Sequence, residues 1–371
     1  NCPSIVDVDN MILLLKSIGK TVLCSGSVVR ISGGLTTTRI PKNIASLLRG
    51  SALILGGAVA KYNEIELPLP GGCAIGARPM DIHLQGLESL GVEVSCTDVV
   101  RCNGKPKGTS YKLRFASVGA TENLVCACVM AKGESFLYNC ATEPEVVALE
   151  EMLVKMGAKI NGVGTPDLQI VGVEKLRGVE FDIIPDRIVA ATYLSAAAAA
   201  GGNVDVLNCC PKHMDAFLNL LHTRFKVRVF ENAIRISSNG QPNDYGKIIT
   251  APYPFFPTDM QSLALSLAAC SNGGQTVIYE KLFENRLRHN SEELCRMGAN
   301  IVVEGDKAVI KGRNLNGATV CSRDLRGGAG LVIAALNAEG QSVIKGIQHI
   351  DRGYYRLADC LKDLGADIDE K

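Results

Sequence analysis

Cys73 stands in Pro70-Gly71-Gly72-Cys73-Ala74-Ile75-Gly76-Ala77-Arg78-Pro79-Met80-Asp81, and it is the residue in this chain whose surroundings most clearly invite chemistry. Three glycines and two prolines argue for a loop rather than a core strand. A thiol on such a loop, with Arg78 and free backbone N–H groups close in sequence, can have a lowered pKa and serve as an acid or a nucleophile. The ordinary alternative for a cysteine is a buried, inert side chain, which this loop composition disfavours.

The rest of the composition sets bounds. The chain has 371 residues, enough for two ordinary domains. Its hydrophobic content of 47%, charged content of 21% and net charge of +1 are those of a globular protein with no long-range field for nucleic acid or anionic lipid. No apolar run is long enough to span a bilayer and the first residues do not form a signal peptide, so the expected location is the cytoplasm. Fourteen cysteines occur without a C-x-x-C pair, and the five histidines form no H-E-x-x-H. Neither a structural zinc site nor a zinc hydrolase is indicated, and the thiols are expected to be mostly buried in a reducing compartment.

The elements that must hold these residues recur. A helix-to-strand signature, leucine followed by an apolar-glycine pair and an alternating strand, appears at Leu15–Gly19, Leu87–Val94, Leu153–Ile160, Leu294–Ile301 and Leu361–Ile368. A worn copy runs from Leu221 to Val229, with Arg224-Phe225 in place of the apolar-glycine pair. In each good copy the glycine reads as a left-handed helix C-cap before the strand. A second, more apolar helix ending in glycine precedes the signature, near Gly133, Gly201, Gly273 and Gly340. Six such copies make a repeat architecture of two helices and several strands per unit, with the apolar helices inside. Three units per domain place the boundary near Ile183-Ile184-Pro185-Asp186, giving domains 1–183 and 184–371. On this count the first unit is roughly fifty residues short, and a natural N-terminal segment is expected to precede Asn1.

Six motifs then occur in order: the Cys73 loop, Ala116-Ser117-Val118-Gly119-Ala120-Thr121, Ile184-Pro185-Asp186-Arg187, Phe256-Pro257-Thr258-Asp259-Met260-Gln261, Phe283-Glu284-Asn285-Arg286 and His349-Ile350-Asp351-Arg352-Gly353-Tyr354. Together they closely resemble the UDP-N-acetylglucosamine 1-carboxyvinyltransferase family of enolpyruvyl transferases, from Asn1 to about Ile368. The resemblance implies an α/β fold of two inside-out barrels, three repeats each, with the active site between them. It implies transfer of the enolpyruvyl group of phosphoenolpyruvate to the 3′-hydroxyl of UDP-N-acetylglucosamine, with release of phosphate, by a monomer needing no metal or redox cofactor.

By the same resemblance Cys73 protonates C3 of phosphoenolpyruvate and is the site of fosfomycin alkylation, and Asp259 accepts the sugar hydroxyl proton. On residue type alone, Thr258 and Asp259 read as a helix N-cap before the apolar run that follows. Arg49, Arg78, Arg326 and Arg352 are the expected anion clamp, because a guanidinium fork matches phosphate and carboxylate oxygens. Arg326 belongs to the catalytic set and Arg286 to the substrate contacts. The nucleotide sugar is expected along Arg78, Pro79, Met80, Asp81 and Ile82, on Ser117, Val118 and Gly119, and against Leu282. Ser117 is equally an ordinary helix N-cap, and Leu282 equally a core residue.

The chain also departs from the family pattern. The family's N-terminal Lys-Asn pair is not found, since Lys42-Asn43 falls just before Arg49 and cannot be that pair. Val189 stands at a usually acidic position, and Gly327-Gly328 replaces Ala-Ser. Two alternatives follow from these departures and the shared fold: a nucleotide-sugar-binding homologue with impaired chemistry, or a shikimate-phosphate enolpyruvyl transferase, against which the Gly-Gly-Cys loop argues.

Overall fold

The computed structural model describes residues 1–69 and 80–370, so Cys73, Arg78 and Pro79 lie outside the described residues. The chain divides between Ile184 and Pro185 into two compact units.

In the first unit α1 (Val6–Ser17) leads into the hairpin of β1 (Thr21–Ser25) and β2 (Val28–Ser32). The short α2 (Lys42–Ala45), a 3-10 turn (Arg49–Leu53) and α3 (Ile54–Tyr62) follow. Next come β3 (Glu64–Pro68), α4 (Asp81–Ser89), β4 (Glu93–Cys96) and β5 (Val99–Asn103), with β5 central in the antiparallel sheet β3-β5-β4. The unit ends with β6 (Ser110–Lys112), α5 (Val118–Cys128), β7 (Glu134–Tyr138), α6 (Pro144–Lys155), β8 (Lys159–Asn161) and β9 (Leu168–Val171). Their sheet order is β6-β7-β9-β8, parallel between β6 and β7 and antiparallel elsewhere.

The second unit repeats this plan. It begins with α7 (Arg187–Ala200), β10 (Gly202–Leu207), α8 (Asp215–His222), β11 (Lys226–Val229) and β12 (Ala233–Ser238), forming the sheet β10-β12-β11. The middle repeat holds β13 (Lys247–Ile249), α9 (Gln261–Ala269), β14 (Gln275–Tyr279), α10 (Arg286–Arg296), β15 (Asn300–Glu304) and β16 (Lys307–Lys311). Its order, β13-β14-β16-β15 with a parallel first pair, matches that of β6 to β9. The last repeat pairs β17 (Thr319–Cys321) with β18 (Val343–Lys345) around α11 (Leu325–Asn337) and closes with α12 (Leu357–Asp363).

The signature glycines perform as their positions predict. Gly19, Gly91, Gly157, Gly298 and Gly365 all have positive φ, between 74° and 103°, where a Cβ would be strained. The first four stand at helix-to-strand turns, whereas Gly365 ends α12 and, contrary to the expected pattern, no strand follows it among the described residues. The worn copy solves the same problem differently. After α8 the Arg224 guanidinium donates to the Leu220 carbonyl at 3.2 Å and to the Asp244 carbonyl at 2.7 Å, tying down a helix end that has no glycine cap.

The apolar helices are inside, as the repeat implied. All nine residues of α9 are buried, as are most of α7 and α11, and the sheets supply the outer layer through alternating residues. One expectation fails. Of the thirteen described cysteines five are buried, four half-buried and four exposed, so the thiols are not mostly buried, though every one of them is free. Cys321 sits on the open face of β17 opposite buried Val320, whereas Cys24 and Cys96 lie toward the ends of β1 and β4, where residues of both faces are exposed. Among the described residues no helix is long and apolar enough to cross a membrane.

Close helix packing depends on glycine at defined points. A Cβ on Gly56 of α3 would lie 2.0 Å from the Asn123 carbonyl oxygen of α5, whereas one on the neighbouring Gly57 would meet nothing within 4 Å. Gly56→Ala is expected to lose about 1–3 kcal/mol of stability through overpacking. Gly57→Ala is expected to gain up to about 1 kcal/mol through helix propensity. Urea unfolding midpoints at constant slope check both, and equal effects at the two positions would refute the packing argument.

Candidate active site

In the second unit the inner helices α7, α9 and α11 lie side by side in one direction. Their C-terminal residues Ala199, Cys270 and Asn337 line a common groove of about 520 Å³. At the opposite ends, Asp186, Asp259 and Arg326 are close enough to interact electrostatically. Asp186 caps α7 by accepting from the Ile188 and Val189 N–H groups at 2.7 and 3.0 Å. Asp324 caps α11 through the Arg326 and Gly327 N–H groups at 3.0 and 2.9 Å.

Asp259 does not cap α9, contrary to the reading from residue type. It lies in a 3-10 turn (Thr258–Met260) ahead of the helix, and no side chain bonds the helix N-terminus there. Its Oδ1 instead accepts from Arg286 Nη2 at 2.6 Å, while Arg286 Nη1 donates to Thr258 Oγ1 at 2.8 Å. Thr258 in turn donates to Glu280 Oε2 at 2.8 Å, and Glu280 Oε1 accepts from the Leu282 and Phe283 N–H groups. This buried chain fixes the carboxylate. The Arg286 side chain, among the expected substrate contacts, is only 2% exposed, and both terminal nitrogens donate to protein oxygens. It holds Asp259 from behind.

The Asp259 side chain keeps 42% of its surface exposed, and among the described residues its Oδ2 accepts no hydrogen bond. Burial of its surroundings pushes the carboxyl pKa up. The charges of Arg286 and Arg326, the Arg286 hydrogen bond and Arg187 outweigh that and hold it below the usual carboxylate range. Arg326, in the first turn of α11, packs against Tyr354 with its guanidinium 5.8 Å from the ring centroid. Burial would depress its pKa, but Tyr354, Asp259 and Asp186 raise it, so it stays charged. Arg352 is half-buried just beyond the 3-10 turn Ile347–His349, and Leu282 is half-buried after β14.

In the first unit Met80, Asp81 and Ile82 form the start of α4. Asp81 accepts from the Ile82 N–H and pairs with Arg114, a partner no motif had singled out. Ser117 caps α5, its Oγ 3.4 Å from the Ala120 nitrogen, so Val118 and Gly119 make up the first turn. Beside that turn stands His83, also missed in the sequence: a Cβ on Gly119 would meet its Cε1 at 3.1 Å. Asn123 accepts from the Gly56 N–H through Oδ1 and donates through Nδ2 to the Ala52 carbonyl and to His83 Nδ1 at 2.8 Å. Since Nδ1 is the acceptor, the imidazole proton is on Nε2. Burial, and then the positive charge of Arg49, push the His83 pKa down to about 4, with Asp81 opposing weakly.

His83 is therefore neutral in the folded state wherever its unfolded counterpart titrates. Between pH 6.5 and about 4 the unfolded chain takes up a proton that the native chain refuses, so His83 lowers stability as pH falls through that window. Its imidazole ¹⁵N shifts are expected to report an Nε2–H tautomer down to about pH 4. His83→Gln should flatten the loss of stability across the same window. Titration near 6.5 would refute the assigned environment.

Comparison with known proteins agrees with this architecture. Residues 1–361 match the family model described as EPSP synthase (3-phosphoshikimate 1-carboxyvinyltransferase). The chain is 43% identical to UDP-N-acetylglucosamine 1-carboxyvinyltransferase 2 of Caldanaerobacter subterraneus subsp. tengcongensis, over 99% of this chain and 89% of that protein. It is 42% identical to the UDP-N-acetylglucosamine 1-carboxyvinyltransferase of Koribacter versatilis, over 99% of this chain and 86% of the relative. Among solved structures, the enolpyruvyl transferase NikO from Streptomyces tendae superposes with a TM-score of 0.88 at 21% identity, covering 99% of this chain and 88% of that one. EPSP synthase from Acinetobacter baumannii does so with a TM-score of 0.71 at 18% identity, covering 98% of this chain and 88% of that one, a likeness of fold. A matched family model over nearly the whole length, with relatives above 40% identity, means that the chain belongs to the enolpyruvyl transferases and, among them, to the UDP-N-acetylglucosamine 1-carboxyvinyltransferase family.

Proposed function

We propose that this enzyme transfers the enolpyruvyl group of phosphoenolpyruvate to the 3′-hydroxyl of UDP-N-acetylglucosamine and releases phosphate, the first committed step of peptidoglycan synthesis. The observation that carries the reading is Asp259: a half-exposed carboxylate fixed through one oxygen by a buried arginine, with no partner for its other oxygen among the described residues.

The chemistry needs a proton delivered to C3 of the enol, a carbon–oxygen bond formed from the sugar hydroxyl to C2, and loss of the hydroxyl proton. The C2–O bond to phosphate then breaks and a proton leaves C3, restoring the double bond. Cys73 supplies the acid in this proposal. Asp259 Oδ2 accepts the hydroxyl hydrogen bond and orients its lone pair toward C2. Arg326 and Arg352, with Arg78 and Arg49, bind the phosphate and carboxylate of the donor as charge-assisted forks. The sugar nucleotide uses Pro79, Met80, Asp81, Ile82, Leu282 and the α5 N-terminus, where Ser117, Val118 and Gly119 offer backbone N–H groups to the diphosphate.

The test is phosphate release from phosphoenolpyruvate by this chain with UDP-N-acetylglucosamine, with shikimate 3-phosphate, and with neither. Release that needs UDP-N-acetylglucosamine is expected, and release dependent on shikimate 3-phosphate would overturn the reading. Asp259→Asn should lower kcat by roughly 10²–10⁴-fold, the range of a lost general base, while calorimetry still detects nucleotide-sugar binding. Unchanged kcat in that variant would remove Asp259 from the mechanism.

A further inference from the structure

The hydroxyl of Tyr354 sits between two partners whose chemistry fixes where its proton is. On one side Arg326 Nη1 lies 3.4 Å away, and a guanidinium can only donate. On the other side Thr192 Oγ1 lies 2.8 Å away. Thr192 spends its own proton on the Ile188 carbonyl at 2.9 Å, one turn back in α7. The chain of hydrogen bonds therefore has one direction: Arg326 to Tyr354, Tyr354 to Thr192, Thr192 to the α7 backbone. Tyr354 is 2% exposed, so no water competes for this lone pair.

Packing holds the phenol in place. Gly353 precedes it, and a Cβ there would come within 2.8 Å of Leu325 Cδ2 in the first turn of α11. A Cβ on Gly328 would lie 2.7 Å from Ile350 Cγ1. Gly328 and Gly353 thus let the segment carrying Tyr354 close on the helix that carries Arg326. Among the described residues Nη1 is the one Arg326 side-chain nitrogen with a protein hydrogen bond, which leaves Nη2 and Nε for an anion.

We propose that Tyr354 is a positioning residue for Arg326: its hydroxyl, polarised by Thr192, fixes the guanidinium plane and directs Nη2 and Nε at the donor's anionic group. This rests on the reading that Arg326 binds phosphoenolpyruvate. Tyr354 touches no reacting atom and acts through the arginine.

The test is a double-mutant cycle on sugar-dependent phosphate release. Tyr354→Phe is expected to lower kcat/KM for phosphoenolpyruvate about tenfold, at the weak end for a hydrogen bond to a charged group. Affinity for UDP-N-acetylglucosamine should not change. In an Arg326→Lys background the same substitution should cost nothing further. Thr192→Val should reproduce part of the loss and Thr192→Ser should restore it. An equal loss in both backgrounds would make Tyr354 merely structural and overturn the proposal, as would no loss in either. A second readout does not depend on the reaction. The Arg326 Hη protons should resolve separately in side-chain NMR of the wild-type chain and average in Tyr354→Phe. Absence of sugar-dependent turnover by the wild-type chain, with that NMR difference intact, would refute the proposed function and leave the positioning role standing. An identical NMR pattern in both proteins would overturn the positioning role itself.

Discussion

Three parallel helix N-termini meeting in one unit create an electrostatic problem that organises everything around them. Each helix end carries about half an elementary positive charge, and the side chains of Arg187, Arg286 and Arg326 add three more. Such a concentration is stable only with matching negative charge. The chain places one aspartate before each inner helix: Asp186 at α7, Asp259 at α9 and Asp324 at α11. Two of them are consumed as caps, their oxygens turned back onto backbone N–H groups. The third is withheld from capping by the 3-10 turn it occupies and by the fork of Arg286. The repeat thus supplies three equivalent carboxylates, and a local change in one of them leaves it available to a ligand.

The first unit handles the same kind of helix end in the opposite way. Helix α5 starts on a neutral cap, Ser117, and has no acidic residue in its first turn. Its own first turn therefore supplies no negative charge to that end. His83 stands beside it and remains uncharged, because burial and the neighbouring Arg49 both disfavour the imidazolium. A neutral Nε2–H donor next to a helix N-terminus with a neutral cap suits an anion that brings its own charge. The proposed placement of the nucleotide diphosphate there, and of the enol phosphate near Arg326, follows that division of labour.

The sequence made the repeat legible because its marker is a steric requirement. A glycine with positive φ at each helix end cannot be exchanged cheaply, so it survives as a pattern at a fixed spacing. The copy at Arg224 shows the limit of that logic: a side chain tied to the end carbonyls replaces the glycine, and the pattern fades although the turn is kept. The supports of the site had no such marker. Arg286 to Asp259, Arg114 to Asp81 and Thr192 to Tyr354 join residues 27, 33 and 162 positions apart, pairings that exist only once the helices have packed. Arg286 illustrates the consequence, since its motif marks it as a site residue while its bond to the Asp259 carboxylate is visible only in the folded chain.

The low pKa of Asp259 then constrains the order of the proposed chemistry. A carboxylate stabilised by surrounding arginines is a weak base, and an uncomplexed alcohol is a far weaker acid than any carboxyl group. Asp259 therefore cannot deprotonate the sugar hydroxyl before other bonds change. Once C3 has been protonated, C2 becomes electron-poor, and the hydroxyl oxygen gains positive charge as its bond to C2 forms. Its proton then becomes acidic enough for even a weakened carboxylate to take. The arginines that make Asp259 a poor base are the same kind of group that binds the donor's anion, so the two demands are linked. In the proposed mechanism, protonation of C3 by a thiol acid in the Cys73 position therefore precedes loss of the hydroxyl proton to Asp259.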